Sequence, residues 1–124
     1  MQDAGMRPVN KHRAYHAHVY FDETSHEFAR GLCEQAGEKF GLKIGRVHQK
    51  LVGPHPRWSC QIAFTSKDFE PLIKWLDDNR AGLTVFVHAL TGDDLKDHTD
   101  YAYWLGDSVD LDLSLFTDTR PGVV

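Results

Sequence analysis

Residues 14–21 read Ala-Tyr-His-Ala-His-Val-Tyr-Phe, and the alternation in this stretch constrains the fold more than any other feature of the chain. Successive side chains of a β-strand point to opposite faces. Tyr15, Ala17, Val19 and Phe21 therefore share one face, while His16, His18 and Tyr20 share the other. The purely apolar face has to be buried against another layer, so the histidine-bearing face is expected to look away from that layer.

The rest of the chain supplies the layer. Residues 22–25 read as a turn, and Thr24 with Glu27 fits a capping box that opens a helix. Phe28, Leu32, Cys33, Ala36 and Phe40 follow at helical spacing, and Gly41 provides a stop. Residues 42–52 read as a second strand, blurred by Gly45, and Gly53-Pro54-His55-Pro56 as a rigid connector. Trp58, Cys60, Ile62 and Phe64 alternate with Ser59, Gln61, Ala63 and Thr65 in a third strand. Ser66 or Asp68 is placed to cap a second helix, with Pro71 in its first turn and Leu72, Ile73, Trp75 and Leu76 as its stripe. Residues 83–90 have the β-branched and aromatic content of a fourth strand.

The order β-α-β-β-α-β is the ferredoxin-like arrangement, which carries both helices on one face of the sheet and leaves the other open. Beyond it, Leu95, His98, Ala102 and Leu105 suggest a third helix over residues 94–105, and residues 109–116 alternate like a fifth strand. The expectation is an α+β ferredoxin-like sandwich with an extra C-terminal helix and strand. One domain over residues 14–116 would lie between a flexible N-terminal tail, 1–13, and a C-terminal tail, 117–124, which suits a chain of 124 residues.

Composition narrows the function. Lys and Arg total 14 against 18 Asp and Glu, so no basic excess exists to hold a nucleic-acid backbone. Cys33 and Cys60 are too few for a disulfide framework and read as reduced core residues. No apolar stretch approaches the roughly 20 residues that span a bilayer, and residues 1–13 lack the apolar run of a signal peptide. These features predict a cytoplasmic protein with neither a membrane nor a nucleic acid as partner. Eight histidines point instead toward metal or acid–base chemistry.

On the first strand His16 and His18 are about 6.7 Å apart along the chain. Two imidazoles leaning together from that spacing can share one ion at about 2.0–2.1 Å. If Val85, Val87 and Ala89 face the helices, then Phe86 and His88 join the histidine face, and His16, His18 and His88 become a metal-binding set. His48, together with Gln61, could share that face, while His55 sits in the connector and His98 on the third helical stripe. His48, His55 and His98 are the acid–base candidates.

The motifs Tyr15-His16-Ala17-His18-Val19-Tyr20-Phe21-Asp22, Gly53-Pro54-His55-Pro56, Val87-His88-Ala89-Leu90-Thr91-Gly92-Asp93-Asp94 and Trp104-Leu105-Gly106 together resemble the DOPA 4,5-dioxygenase family. The likeness runs from about Tyr15 to Phe116, with His16, His18, His55 and His88 at motif positions; Ala89 stands where proline is expected. The resemblance implies a ferredoxin-like homodimer that cleaves a catechol ring in extradiol fashion, using O₂ and non-haem Fe(II). Zinc or another divalent ion could occupy the same site. Such chemistry commonly uses two histidines and a carboxylate, so either Asp22, Asp93 or Asp94 serves or the site is all-histidine. Arg57 could hold a substrate carboxylate, and Trp58, Phe86 or Tyr20 could stack on the ring. The alternative is a metal-free ligand-binding or cofactorless oxygen-using dimer.

Overall fold

The computed structural model describes residues 7–51 and 53–117. A single five-stranded sheet has the order β2-β3-β1-β4-β5, built from β1 (Ala14–Phe21), β2 (Lys43–His48), β3 (Trp58–Thr65), β4 (Val85–Ala89) and β5 (Ala102–Leu105). Every neighbouring pair is antiparallel. Strand β1 lies between β3 and β4, as the split βαβ order requires, and the fold is the expected α+β ferredoxin-like one.

The two crossover helices are α1 (His26–Phe40) and α2 (Ser66–Asn79). Ala29, Leu32, Cys33 and Ala36 of α1 and Phe69, Leu72 and Leu76 of α2 are buried against Tyr15, Ala17, Val19, Ile62, Val85 and Val87 of the sheet. This is the apolar face that the alternation in β1 anticipates. Both cysteines are free and buried in it.

Helix α1 starts differently from the expected capping box. Ser25 is its N-cap and makes no side-chain cap bond; instead Asp22 Oδ1 accepts from the backbone N–H groups of Thr24 and Ser25. The carboxylate holds the turn before the helix, which is the local bonding habit of aspartate. Gly41 ends the helix at φ 66°, a left-handed conformation that favours glycine. In α2 the N-cap is Thr65, so Pro71 falls in the second turn rather than the first.

Three further expectations are revised. Strand β2 ends at His48, and its pairing with β3 slips between Ile44 and Val47. Gly45 sits in that slip, where an added Cβ would come within 3.2 Å of Gln61 Cβ; Val52 lies outside the described residues. The third helix is one turn only, α3 (Asp94–Asp97), and residues 102–105 are strand β5 instead. The fifth strand expected over 109–116 does not form: residues 108–112 are irregular and a short helix, α4 (Ser114–Thr117), follows.

That irregular segment has a structural task. Val109 and Leu111 pack on Tyr20, Phe86, Ala102 and Trp104, a second apolar cluster on the histidine side of the sheet. The Asp112 N–H donates to the Pro54 carbonyl at 2.8 Å, tying the segment to the Pro-rich connector. The face expected to be open is thus partly roofed. Of the N-terminal segment, residues 7–13 are described: the Lys11 and His12 backbone N–H groups donate to the Tyr15 hydroxyl, and Arg7 pairs with Asp77.

Candidate functional site

Two neighbouring strands, the connector and the end of α3 bring the histidines together. His16 and His18 project from β1, and the register sets His16 directly opposite His88 of β4. His18 faces Phe86 across the same pair of strands. The closest approach is between His18 Nε2 and His88 Nε2, at 3.1 Å, and one nitrogen from each of His16, His18 and His88 lies within 4.8 Å of the others. Two nitrogens bound to one ion at about 2.1 Å are about 3.0 Å apart at a right angle and about 3.4 Å apart at the tetrahedral angle. The observed separation falls between these values.

Electrostatics favours neutral rings here. Burial pushes His88 down to about 3, and burial followed by the neighbouring histidines drives His18 well below the ordinary histidine value. His16 is lowered by burial and by His98. Neutral imidazoles keep the lone pairs that a cation needs. His88 Nδ1 lies 2.8 Å from the Ala89 carbonyl, which can only accept, so the ring proton sits on Nδ1 and Nε2 carries the lone pair. A backbone carbonyl on the outer ring nitrogen is the usual support of a metal-binding histidine.

A row of rings extends on both sides of this pair. His55 packs on His18 with ring centroids 4.1 Å apart, and His98 packs on His88 at 4.2 Å. His98 is covered in turn by Phe116 at 4.6 Å. Tyr20 Oη lies 2.7 Å from His55 Nδ1, and burial moves the His55 ring down to about 4. The result is five histidines and a tyrosine converging on one side of one sheet.

Comparison with known proteins fits this arrangement. A model described as the Dopa 4,5-dioxygenase family matches residues 15–115. The chain belongs to that family. It is 32% identical to a DOPA 4,5-dioxygenase of Amanita muscaria over 82% of its own length and 49% of the relative's. It is 35% identical to an uncharacterized 21.2 kDa protein of Botryotinia fuckeliana, covering 91% of this chain and 66% of that one. It thus spans less than two thirds of the length of either relative. A crystal structure of a candidate dioxygenase from Nostoc punctiforme superposes with a TM-score of 0.71 at 38% identity, covering 82% of this chain and 89% of the other.

Other site expectations divide. His48 pairs with Ser59 at the end of β2 and lines a small cleft of about 140 Å³ with His18, His55 and Gln61. His98 lines a second cleft, of about 510 Å³, walled by Ala102, Trp104, Val109 and Leu111. Trp58 does not reach the histidines: it belongs to the apolar alternation set of β3 and packs on the helix-side core, in edge contact with Phe21. Tyr20 is buried in the second apolar cluster with its hydroxyl on His55, so its ring has no free face for a substrate. Phe86 is buried between His18, His88 and Trp104.

Arg57 is exposed and lines a polar cleft with Tyr20, Asp22, Ser25 and Thr84. Among the described residues it makes no ion pair. No carboxylate joins the three-histidine group among the described residues. Asp22 holds its turn, Asp93 caps α3 by accepting from the Lys96 N–H, and Asp94 supplies a backbone carbonyl to His98. Reading the sequence missed Trp104 and Phe116 as walls of the site, because residues 102–105 resemble a helical stripe and Phe116 closes the row only through a long-range contact.

Proposed function

We propose that this chain is an aromatic ring-cleaving dioxygenase that opens a catechol bearing a carboxylate side chain, such as DOPA, with O₂ and non-haem iron(II). The observation that carries the reading is the convergence of His16, His18 and His88, with His18 Nε2 and His88 Nε2 3.1 Å apart. The donor set fits a divalent transition ion: three neutral imidazoles, at least one of them braced by a backbone carbonyl. Iron held there would supply Lewis acidity and an electron path between catechol and dioxygen.

The chain's own residues then bind, orient and handle protons. Arg57, unpaired among the described residues, is the group to receive the substrate carboxylate. Phe86, Trp104, Val109 and Leu111 exclude water from the histidine face. His55, His98 and His48 stand around the triad as proton donors and acceptors. The family resemblance extends the proposal to a homodimer, which sedimentation equilibrium tests; a monomer at every concentration contradicts it.

Activity is tested with untagged protein loaded anaerobically with iron(II), mixed with DOPA and simpler catechols, and then exposed to O₂. A yellow ring-opened product is expected. Iron bound in stoichiometric amount without product from any catechol would reject the dioxygenase reading while sparing the metal site.

A further inference from the structure

The row His55–His18–His88–His98 ends in two histidines whose outer nitrogens meet chemically opposite partners. At one end, His98 Nδ1 lies 2.7 Å from the backbone carbonyl of Asp94. A carbonyl oxygen only accepts, so Nδ1 carries the proton and Nε2 the lone pair. At the other end, His55 Nδ1 faces the Tyr20 hydroxyl at 2.7 Å. That hydroxyl is buried and has no other partner among the described residues. If Nδ1–H donated to it, the phenolic proton would be left buried without an acceptor, which is the costlier arrangement. The hydroxyl therefore donates, Nδ1 accepts, and the single ring proton of neutral His55 sits on Nε2. Neither Nε2 atom makes a hydrogen bond of its own among the described residues, and each ring lines a cleft.

We infer that Tyr20 and the Asp94 carbonyl lock His55 and His98 in opposite tautomers, so that His98 is the base and His55 the hydrogen-bond donor of the site. The inference rests on the catechol reading above. The catechol O–H proton passes to His98 Nε2, whose lone pair forms the new N–H bond, while the O–H bonding pair stays on the oxygen as catecholate. His55 keeps its own proton and donates a hydrogen bond from Nε2 to an oxygen on the opposite side of the triad. Tyr20 touches no reacting atom in this scheme. It is a positioning residue acting through His55, and Asp94 acts through His98 by its backbone alone.

The test reads tautomers directly. In the metal-free folded chain labelled with ¹⁵N-histidine, long-range proton–nitrogen correlation NMR at neutral pH distinguishes protonated from bare ring nitrogens. His55 is expected as Nε2–H and His98 as Nδ1–H. The same tautomer at both rings, or the two reversed, overturns the inference. Tyr20→Phe removes only the hydroxyl, and is expected to turn His55 into a mixture of tautomers while the His98 signals stay in place; a His55 that remains wholly Nε2–H overturns the role of Tyr20. In iron-loaded protein the same variant should lose kcat in proportion to the Nε2–H fraction lost, about twofold for an even mixture, with KM little changed. An unchanged kcat contradicts the donor role of His55. Because the tautomers are read without metal, their failure and a failure of the dioxygenase reading are separate results.

Discussion

Lowering the pH from about 7 to about 5 should destabilise the metal-free protein through the histidine row, and the size of the loss can be worked out from the shifts. His88 moves from 6.5 in the unfolded chain to about 3 in the fold, and His55 from 6.5 to about 4. Both folded values are depressed, so stability is fully present above about pH 6.5 and drains away as pH falls toward the folded values. At about pH 5 the unfolded chain has gained a proton on each ring while the fold stays neutral; 1.5 pH units at about 1.36 kcal/mol each is about 2 kcal/mol per histidine. Together the two cost about 4 kcal/mol, and His18 acts in the same direction. A domain with a total stability of about 5–15 kcal/mol would register this plainly. The shifted carboxylates Asp22, Glu27, Asp77 and Asp112 all move downward, so what they contribute is lost mainly below about pH 5, beneath this window. Urea unfolding followed by tryptophan fluorescence at the two pH values measures the loss. His88→Gln should recover about 2 kcal/mol of the pH-dependent part. A midpoint that is the same at both pH values would refute the claim that these imidazoles are held neutral.

Two further outcomes follow from named contacts. Arg57→Ala should raise KM for a carboxylate-bearing catechol by about tenfold, the lower end for a charged contact because Arg57 is exposed, and leave plain catechol nearly unchanged; equal effects on both substrates contradict the assigned contact. Leu72→Ala removes a fully buried side chain between α2 and the sheet and should cost about 2–5 kcal/mol in urea unfolding; a loss below about 1 kcal/mol would mean that the helix does not pack as described.

The parts of the fold that were legible in the sequence are those governed by local period. The alternation in β1 placed Tyr15, Ala17 and Val19 under the helices and His16 and His18 on the far side, and the structure keeps that division. The pattern Phe86–His88 against Val85–Val87–Ala89 was readable for the same reason. Residues 94–105 were not. Leu95 and His98 have helical spacing, but Thr99 to Tyr101 turn the chain back so that β5 can pair with β4, and all four residues of β5 are buried, which erases the alternation that marks a strand. Residues 109–116 alternate without forming a ladder: Val109 and Leu111 cover the histidine face, and the Asp112 N–H is satisfied by Pro54.

The same limit applies to the site. Which histidines share a face is a local property, visible from spacing. What surrounds each ring is not: His88 and His98 find their outer carbonyls one and four residues away, but the Tyr20–His55 bond joins β1 to the connector, and the His98 ring is held between β4 and α4. Trp58 was expected to stack on a substrate ring, whereas its parity with Cys60, Ile62 and Phe64 sets it against the helix-side core, where it shares a cleft with Arg57 rather than with the histidines.

The central claim, that His16, His18 and His88 hold one ion, is tested most directly by X-ray absorption at the iron edge of the chain loaded anaerobically with one equivalent of iron(II). The spectrum should contain the scattering of three imidazoles bound through nitrogen at about 2.1 Å, falling to two in His18→Ala. A spectrum with no imidazole contribution, or one that His18→Ala leaves unchanged, would contradict the account.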